Sequence, residues 1–283
     1  MLGTLVRRAV SYSSAMVGQC YVATAAPKLL EVTKNNGISI ISMARAPVNS
    51  LNLALLTDLK EALITAQKEN SDGVILTSSC ATVFSAGLDL TEMYKPNDLR
   101  LVEFWTALQD AWIALNGLTI PTAAAINGNS PAGGCLLAMT CEHRVMVDAK
   151  FTIGLNETQL GIAAPKWFMT CMIDTIGYRQ AEKALLKGKL FTPKEAIEIG
   201  LVDELATDKQ DAIRKCQEYI ESARMVPEFG RSTTKFLIRN DRIAALKNNR
   251  EKDLAAFVSI IKNPDVQMGL GFYLESLKQK SKL

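Results

Sequence analysis

Histidine is nearly absent from this chain: His143 is the single one, lying between Glu142 and Arg144 where a strand begins. Zinc sites usually draw on more histidine than that, so zinc chemistry is not expected and His143 reads as structural. No Cys-x-x-Cys pair occurs among Cys20, Cys80, Cys135, Cys141, Cys171 and Cys216. In a chain of 283 residues such scattered cysteines read as free, mostly buried thiols rather than a disulfide framework. No apolar run approaches the ~20 residues that cross a bilayer. Net charge is only +3, without the clustered basic face that nucleic acid requires. Neither a Gly-x-Gly-x-x-Gly fingerprint nor a phosphate loop ending in Gly-Lys-Ser/Thr is present.

What is present is enough for a sizeable core, since 48% of residues are apolar. Residues 1–28 hold Arg7, Arg8, Lys28 and several serines, with no acid before Glu31. Leu2, Leu5, Val6, Ala9 and Val10 share one helical face there. An amphipathic, acid-poor leader of this kind predicts a mitochondrial transit peptide. The chain ends in Ser281-Lys282-Leu283, the peroxisomal address. The expected location is therefore the mitochondrial matrix, with the peroxisome as alternative or addition.

From residue 29 strands and helices alternate. Strands at 29–33 and 37–43 flank Asn35-Asn36-Gly37, a hairpin signal. Ser50 is placed to cap a helix running to Asn70, with Leu51, Leu55, Leu59 and Leu63 on one face. Strands are expected at 74–77, 121–126, 144–147 and 151–153, and helices at 98–116 and 135–141. In the first helix Leu101, Phe104, Trp105, Leu108 and Trp112 form a stripe that reads mostly as core. Beyond residue 165 the pattern is helical, over 167–176, 178–187, 193–199, 208–224, 230–248 and 251–280 in pieces, with a short strand at 201–205. A βα-repeating front and a helical tail predict an α/β core over 29–200 and a helical region over 201–283.

Three segments can carry chemistry. Ser85-Ala86-Gly87-Leu88 and Pro131-Ala132-Gly133-Gly134 are strand-to-helix loops rich in small residues. Two such loops side by side can aim two backbone N–H donors at one oxygen. They serve equally as tight turns that let a helix pack on the sheet. The third is 154–161, where Glu157 stands among apolar neighbours. It is either a buried carboxylate with a raised pKa or an ordinary exposed loop glutamate.

Taken in order, the three segments resemble the crotonase (enoyl-CoA hydratase/isomerase) superfamily. The resemblance rests on Phe84-Ser85-Ala86-Gly87-Leu88-Asp89-Leu90, on Ile126-Asn127-Gly128 through Pro131-Ala132-Gly133-Gly134-Cys135, and on Gly154-Leu155-Asn156-Glu157 with Leu160-Gly161-Ile162. Upstream, Pro47-Val48-Asn49-Ser50-Leu51 is similar to the family's first coenzyme A-contacting turn. The wording is closest to the mitochondrial Δ3,Δ2-enoyl-CoA isomerase branch. The resemblance implies a crotonase (ClpP-like) spiral of ββα units with a C-terminal helical trimerisation region. It implies an oxyanion hole from the N–H groups of Leu88 and Gly133, and a thioester site formed by Ala86, Gly87, Leu88, Asp89, Leu90 and Gly133. Glu157 would be catalytic, with no cofactor beyond the coenzyme A carried by the fatty enoyl-CoA substrate. Hydratases of the family use a second glutamate, whose position falls on Leu136 here. A leucine moves no proton, so the expected reaction is isomerisation of 3-cis- or 3-trans-enoyl-CoA to the 2-trans isomer by one carboxylate. Glu142 is the alternative second acid, nearly two helical turns farther on and expected to face outward. The competing expectations are a hydratase, a dienoyl-CoA isomerase, or a non-catalytic acyl-CoA-binding relative. The expected partners are enoyl-CoA thioesters and further copies in a homotrimer, with no metal and no nucleic acid.

Overall fold

A computed structural model describes residues 28–280. The expected leader (apart from its last residue), Cys20 and Ser281-Lys282-Leu283 lie outside the described residues. The hairpin forms as its turn chemistry demands. Strands β1 (Leu30–Asn35) and β2 (Ile38–Met43) pair antiparallel, with Asn35 opposite Ile38. Asn36 and Gly37 both take positive φ, 48° and 80°, the backbone that a two-residue turn between twisted strands requires.

Helix α1 (Leu53–Lys68) then crosses to β3 (Gly73–Ser78). Its cap is Asn52 rather than Ser50: Asn52 Oδ1 accepts from the Leu55 amide at 2.9 Å. Leu51 is therefore outside the helix, freed to bridge Leu88. A four-residue helix α2 (Leu90–Met93), which the sequence pattern does not reveal, precedes α3 (Asp98–Gly117) and β4 (Thr122–Ile126). Next come β5 (Ser130–Pro131), α4 (Gly133–Thr140), β6 (His143–Val147) and β7 (Ile153–Gly154). Helices α5 (Lys166–Ile176), α6 (Tyr178–Lys187) and α7 (Pro193–Glu198) lead to β8 (Glu204–Ala206) and α8 (Lys209–Arg224). The chain continues in α9 (Glu228–Lys247), α10 (Arg250–Ile261) and α11 (Pro264–Lys280).

Six strands form one sheet in the order β1-β2-β3-β4-β6-β8, parallel after the hairpin, while β5 and β7 pair separately. Period-two alternation divides the side chains between its faces. Ile75, Ala123, Ala125 and Val145 meet Ala212, Cys216 and Ile220 of α8. Val74, Leu76, Ala124, Ile126 and Met146 point the other way, into a larger core shared with α1, α3 and α4. Because β8 is a strand of this sheet and α8 packs on its face, the sheet and its helical cover extend past residue 200. The buried cysteines Cys135, Cys141, Cys171 and Cys216 are unbridged. His143 is structural as expected, stacked on Tyr219 with its Nε2 at 3.0 Å from Glu204.

Glu142 fastens α9 to this core. Its carboxylate accepts from the Thr122 amide at 3.2 Å, the Tyr219 hydroxyl at 3.1 Å, Lys235 Nζ at 2.6 Å and the Arg231 guanidinium. Lys235 is buried enough that desolvation pulls its pKa down to about 8 despite that partner. Replacing Glu142 by Gln leaves two buried cations without their anion. The expected loss is about 3–5 kcal/mol in chemical denaturation; a loss below ~1 kcal/mol is the surface-pair outcome and contradicts this account.

Candidate active site

The two small-residue loops meet. Gly87 has φ of +86°, and a Cβ placed on it would stand 2.9 Å from Ala132 Cβ and 3.3 Å from the Gly133 nitrogen. A Cβ on Gly133 would lie 2.9 Å from Leu51 Cδ1 and 3.5 Å from Gly87 Cα. Neither contact tolerates a larger residue, so glycine here serves close approach. The segment 47–51 holds the first loop in place. Val48 O accepts from the Ala86 amide at 3.0 Å, Asn49 O from Ser85 Oγ at 2.8 Å, and Gly87 O from the Leu51 amide at 2.8 Å.

Both predicted donors are unspent. Leu88 N–H and Gly133 N–H have no acceptor among the hydrogen bonds of the described residues. For Gly133 the cause is its place as first residue of α4, where backbone amides are orphaned. Ala132 before it takes φ 50° and ψ −119°, a conformation costly for a residue with a Cβ and of the kind found at functional sites. That torsion orients the Gly133 amide.

Glu157 opens a 3₁₀ turn, Glu157–Leu160, directly behind β7; the sequence pattern gives only a loop there. Its side chain is 9% exposed, and neither carboxylate oxygen has a hydrogen-bond partner. Burial pushes its pKa up to about 7, against a smaller downward pull from its own backbone amide. Of the two open readings, the buried carboxylate is the one realised.

Glu157 lines a cavity of about 590 Å³ whose wall also includes Ala86, Leu88 and Leu90 of the first loop and Pro131 and Ala132 of the second. Gly87, Asp89 and Gly133 are not among its lining residues. Asp89 is occupied otherwise: its carboxylate pairs with Arg45 at 2.7 Å and caps α2 through the Thr91 amide at 3.0 Å. Leu136 is fully buried in α4 and brings no acid to the site. Glu142 stays at the α9 anchor, outside this wall.

Of the far wall, the sequence offers Trp167 and Phe168 as apolar neighbours of Glu157, and the rest has no local signal. Trp105, Trp112, Trp167, Phe168, Leu246 and Phe257 contribute to it, so part of the stripe that reads as core faces the cavity. One acid stands among them. Asp253 Oδ2 accepts from Trp105 Nε1 at 2.7 Å and Gln109 Nε2 at 2.8 Å, and Oδ1 from Trp167 Nε1 at 3.1 Å. These partners come from two helices, α3 and α5, far in sequence from Asp253 on α10, so no local spacing signals them. Glu157 and Asp253 are the only acids lining the cavity among the described residues.

This arrangement can bind an apolar chain, polarise a carbonyl oxygen with two amides, and shuttle a proton through one carboxylate. Comparison with known proteins gives the family. The sequence pattern of the enoyl-CoA hydratase/isomerase family matches residues 33–282. Mitochondrial enoyl-CoA delta isomerase 1 of Mus musculus is 43% identical over 254 residues, covering 89% of this chain and 88% of that protein. The Homo sapiens counterpart is 40% identical over 257 residues, covering 89% and 84%. Among solved structures, human mitochondrial delta3-delta2-enoyl-CoA isomerase superposes with a TM-score of 0.87 at 39% identity, covering 89% of this chain and 99% of its own. An enoyl-CoA hydratase from Bacillus halodurans follows at a TM-score of 0.79 and 25% identity, covering 86% and 99%. A match of that extent, on a chain that brings two free amides together beside a cavity holding one unpaired carboxylate, makes this protein a member of the enoyl-CoA hydratase/isomerase family.

Proposed function

We propose that the protein is a Δ3,Δ2-enoyl-CoA isomerase, converting 3-cis- and 3-trans-enoyl-CoA to 2-trans-enoyl-CoA in the oxidation of unsaturated fatty acids. The observation that carries this reading is the single unpaired carboxylate, Glu157, in an apolar cavity. Curated relatives of the same name support it over most of the chain.

The amides of Leu88 and Gly133 donate to the thioester oxygen. Ala86 to Leu90 and Gly133 flank the thioester, and no cofactor is needed beyond the coenzyme A that the substrate carries. Glu157 takes the C2 proton, the C–H electron pair becomes the enolate double bond, and the resulting dienolate places its charge on the held oxygen. The Glu157 carboxylic acid then protonates C4, leaving the double bond between C2 and C3. A carboxylate with pKa about 7 suits both halves of this cycle, because it is basic enough to accept and ionised enough at neutral pH to begin.

Hydration needs a second carboxylate to handle water, and the position that supplies it in hydratases is the buried, apolar Leu136. A dienoyl-CoA isomerase also needs a second acid. The sole candidate in the wall, Asp253, is engaged by three N–H donors. A relative that only binds acyl-CoA has no use for an unpaired buried carboxylate, which costs stability. The reading extends to a homotrimer assembled through the C-terminal helices. Phe229, Phe236, Leu237 and Ile238 leave an exposed apolar face on α9, of the kind that marks an interface. It also extends to the mitochondrion, named for the relatives, with the matrix as the compartment and the peroxisome as an additional site.

The decisive assay supplies 3-cis- and 3-trans-enoyl-CoA and follows the conjugated thioester chromophore, with 2-trans-enoyl-CoA alongside to report hydration. Glu157→Gln is expected to lower kcat by about 10²–10⁴-fold while acyl-CoA still binds. An active Gln variant, or an inactive parent, overturns the proposal.

The pH dependence follows from the same residue. The carboxylate form is the base, so kcat/KM should decline by about tenfold per unit well below pH 7 and level off above it. Stability runs the opposite way. Folding raises this pKa from 4.5 to about 7, so the Glu157 contribution is full below 4.5 and lost as pH climbs through 7. The urea midpoint of Glu157→Gln should therefore gain on the parent's across that window; a constant difference would show that Glu157 is not desolvated.

A further inference from the structure

Asp253 is an oddity in its surroundings. It stands in the wall of the apolar cavity among Trp105, Trp167 and Phe257, and its recorded partners are neutral: two indole N–H groups and the Gln109 amide. What the carboxylate does, and an apolar side chain cannot, is fix the rotation of two indoles from two different helices at once.

The geometry around it is consistent with that task. Asp253 and Phe257 are four residues apart, so they share one face of α10. Together they grip Trp105 twice: Asp253 by its N–H at 2.7 Å, and Phe257 by its face, stacked at 3.6 Å between centroids with planes 10° apart. Trp167, held at 3.1 Å by the other oxygen, meets Trp112 edge-on at 5.0 Å and Phe168 at 4.5 Å. Below the indoles, Gln109 is in turn bonded by Arg250 Nε at 3.0 Å, and Arg250 pairs with Asp110 at 2.6 Å. The start of α10 is thus pinned to α3 in two places.

We propose that Asp253 sets the acyl-chain preference of this cavity, as a positioning residue that fixes the indoles of Trp105 and Trp167 as its wall. The inference rests on the acyl-CoA reading of the site. Chain length is felt through that wall, because each methylene buried against a close-packed surface contributes up to about fourfold in affinity, and a wall free to rotate forfeits part of it. Short acyl groups that do not reach the indoles are affected less.

The test uses the full chain and two variants, Asp253→Ala and Asp253→Asn, the second retaining one acceptor oxygen. Affinities for hexanoyl-CoA and dodecanoyl-CoA, saturated and unreactive, are read by tryptophan fluorescence, since the indoles report the wall directly. In Asp253→Ala the preference for dodecanoyl over hexanoyl should shrink by at least about tenfold, with Asp253→Asn between it and the parent. With the corresponding 3-enoyl-CoA substrates the same loss should appear mainly in KM for the longer chain rather than in kcat. An unchanged ratio overturns the proposal. So does an equal loss for both lengths, the signature of a merely structural carboxylate. Should the parent turn over no 3-enoyl-CoA at all, the isomerase reading fails by itself, and the affinity ratio still decides the role of Asp253.

Discussion

Keeping a carboxylate in an apolar cavity with nothing to bond to is the constraint around which this molecule is arranged. Glu157 has neither cation nor donor on its oxygens, and a group so placed costs free energy whenever it ionises. The fold tolerates it by letting it hold its proton up to about pH 7. Its surroundings supply that burial: Leu136 and Leu155 are fully buried in the same core, and Trp105, Trp112, Trp167 and Phe168 stand in the cavity wall. A water or a lysine beside Glu157 would stabilise the charge and return an ordinary surface glutamate. The base strength of the site is therefore a property of its surroundings more than of the residue.

Three carboxylates show how far surroundings divide one chemistry. Glu142 is saturated with cations and hydroxyls and serves as a mechanical tie between β4, α8 and α9. Asp253 is met only by neutral N–H groups and orients rings. Glu157 has no side-chain partner on either oxygen, which is what the proposed proton shuttle requires. The first two also hold α9 and α10 against the α/β core, and those helices supply part of the cavity wall. The enclosure of Glu157 thus depends on ties made well away from it.

Much of the framework was legible in the chain. Alternating apolar residues gave the parallel strands, Asn35-Asn36-Gly37 the hairpin, and the small residues around Gly87 and Gly133 the two converging loops. These signals are local, set by backbone torsion and side-chain period. Details failed where two local choices compete or where the partner is distant. Asn52 rather than Ser50 caps α1, and Leu51 outside the helix bridges Leu88, a tertiary contact that the local capping signal does not carry. The burial of Glu157 depends on helices that arrive much later in the chain. Asp253 was silent altogether, since its indole partners are 148 and 86 residues away.

The leucine at 136 completes the logic of a lone base. It contributes no proton, yet it occupies the first turn of α4, three residues beyond Gly133, whose amide is the proposed donor to the thioester oxygen. An acid there would recruit water and raise the local dielectric, weakening the two amide hydrogen bonds and lowering the pKa of Glu157 if the acid were neutral. Were it charged instead, two like charges in a dry cavity would drive one or the other to stay protonated. Either way the second carboxylate changes the first. A reaction that removes and returns one proton gains from its absence, because the site then needs only an oxyanion hole and a single group whose proton affinity is set by burial.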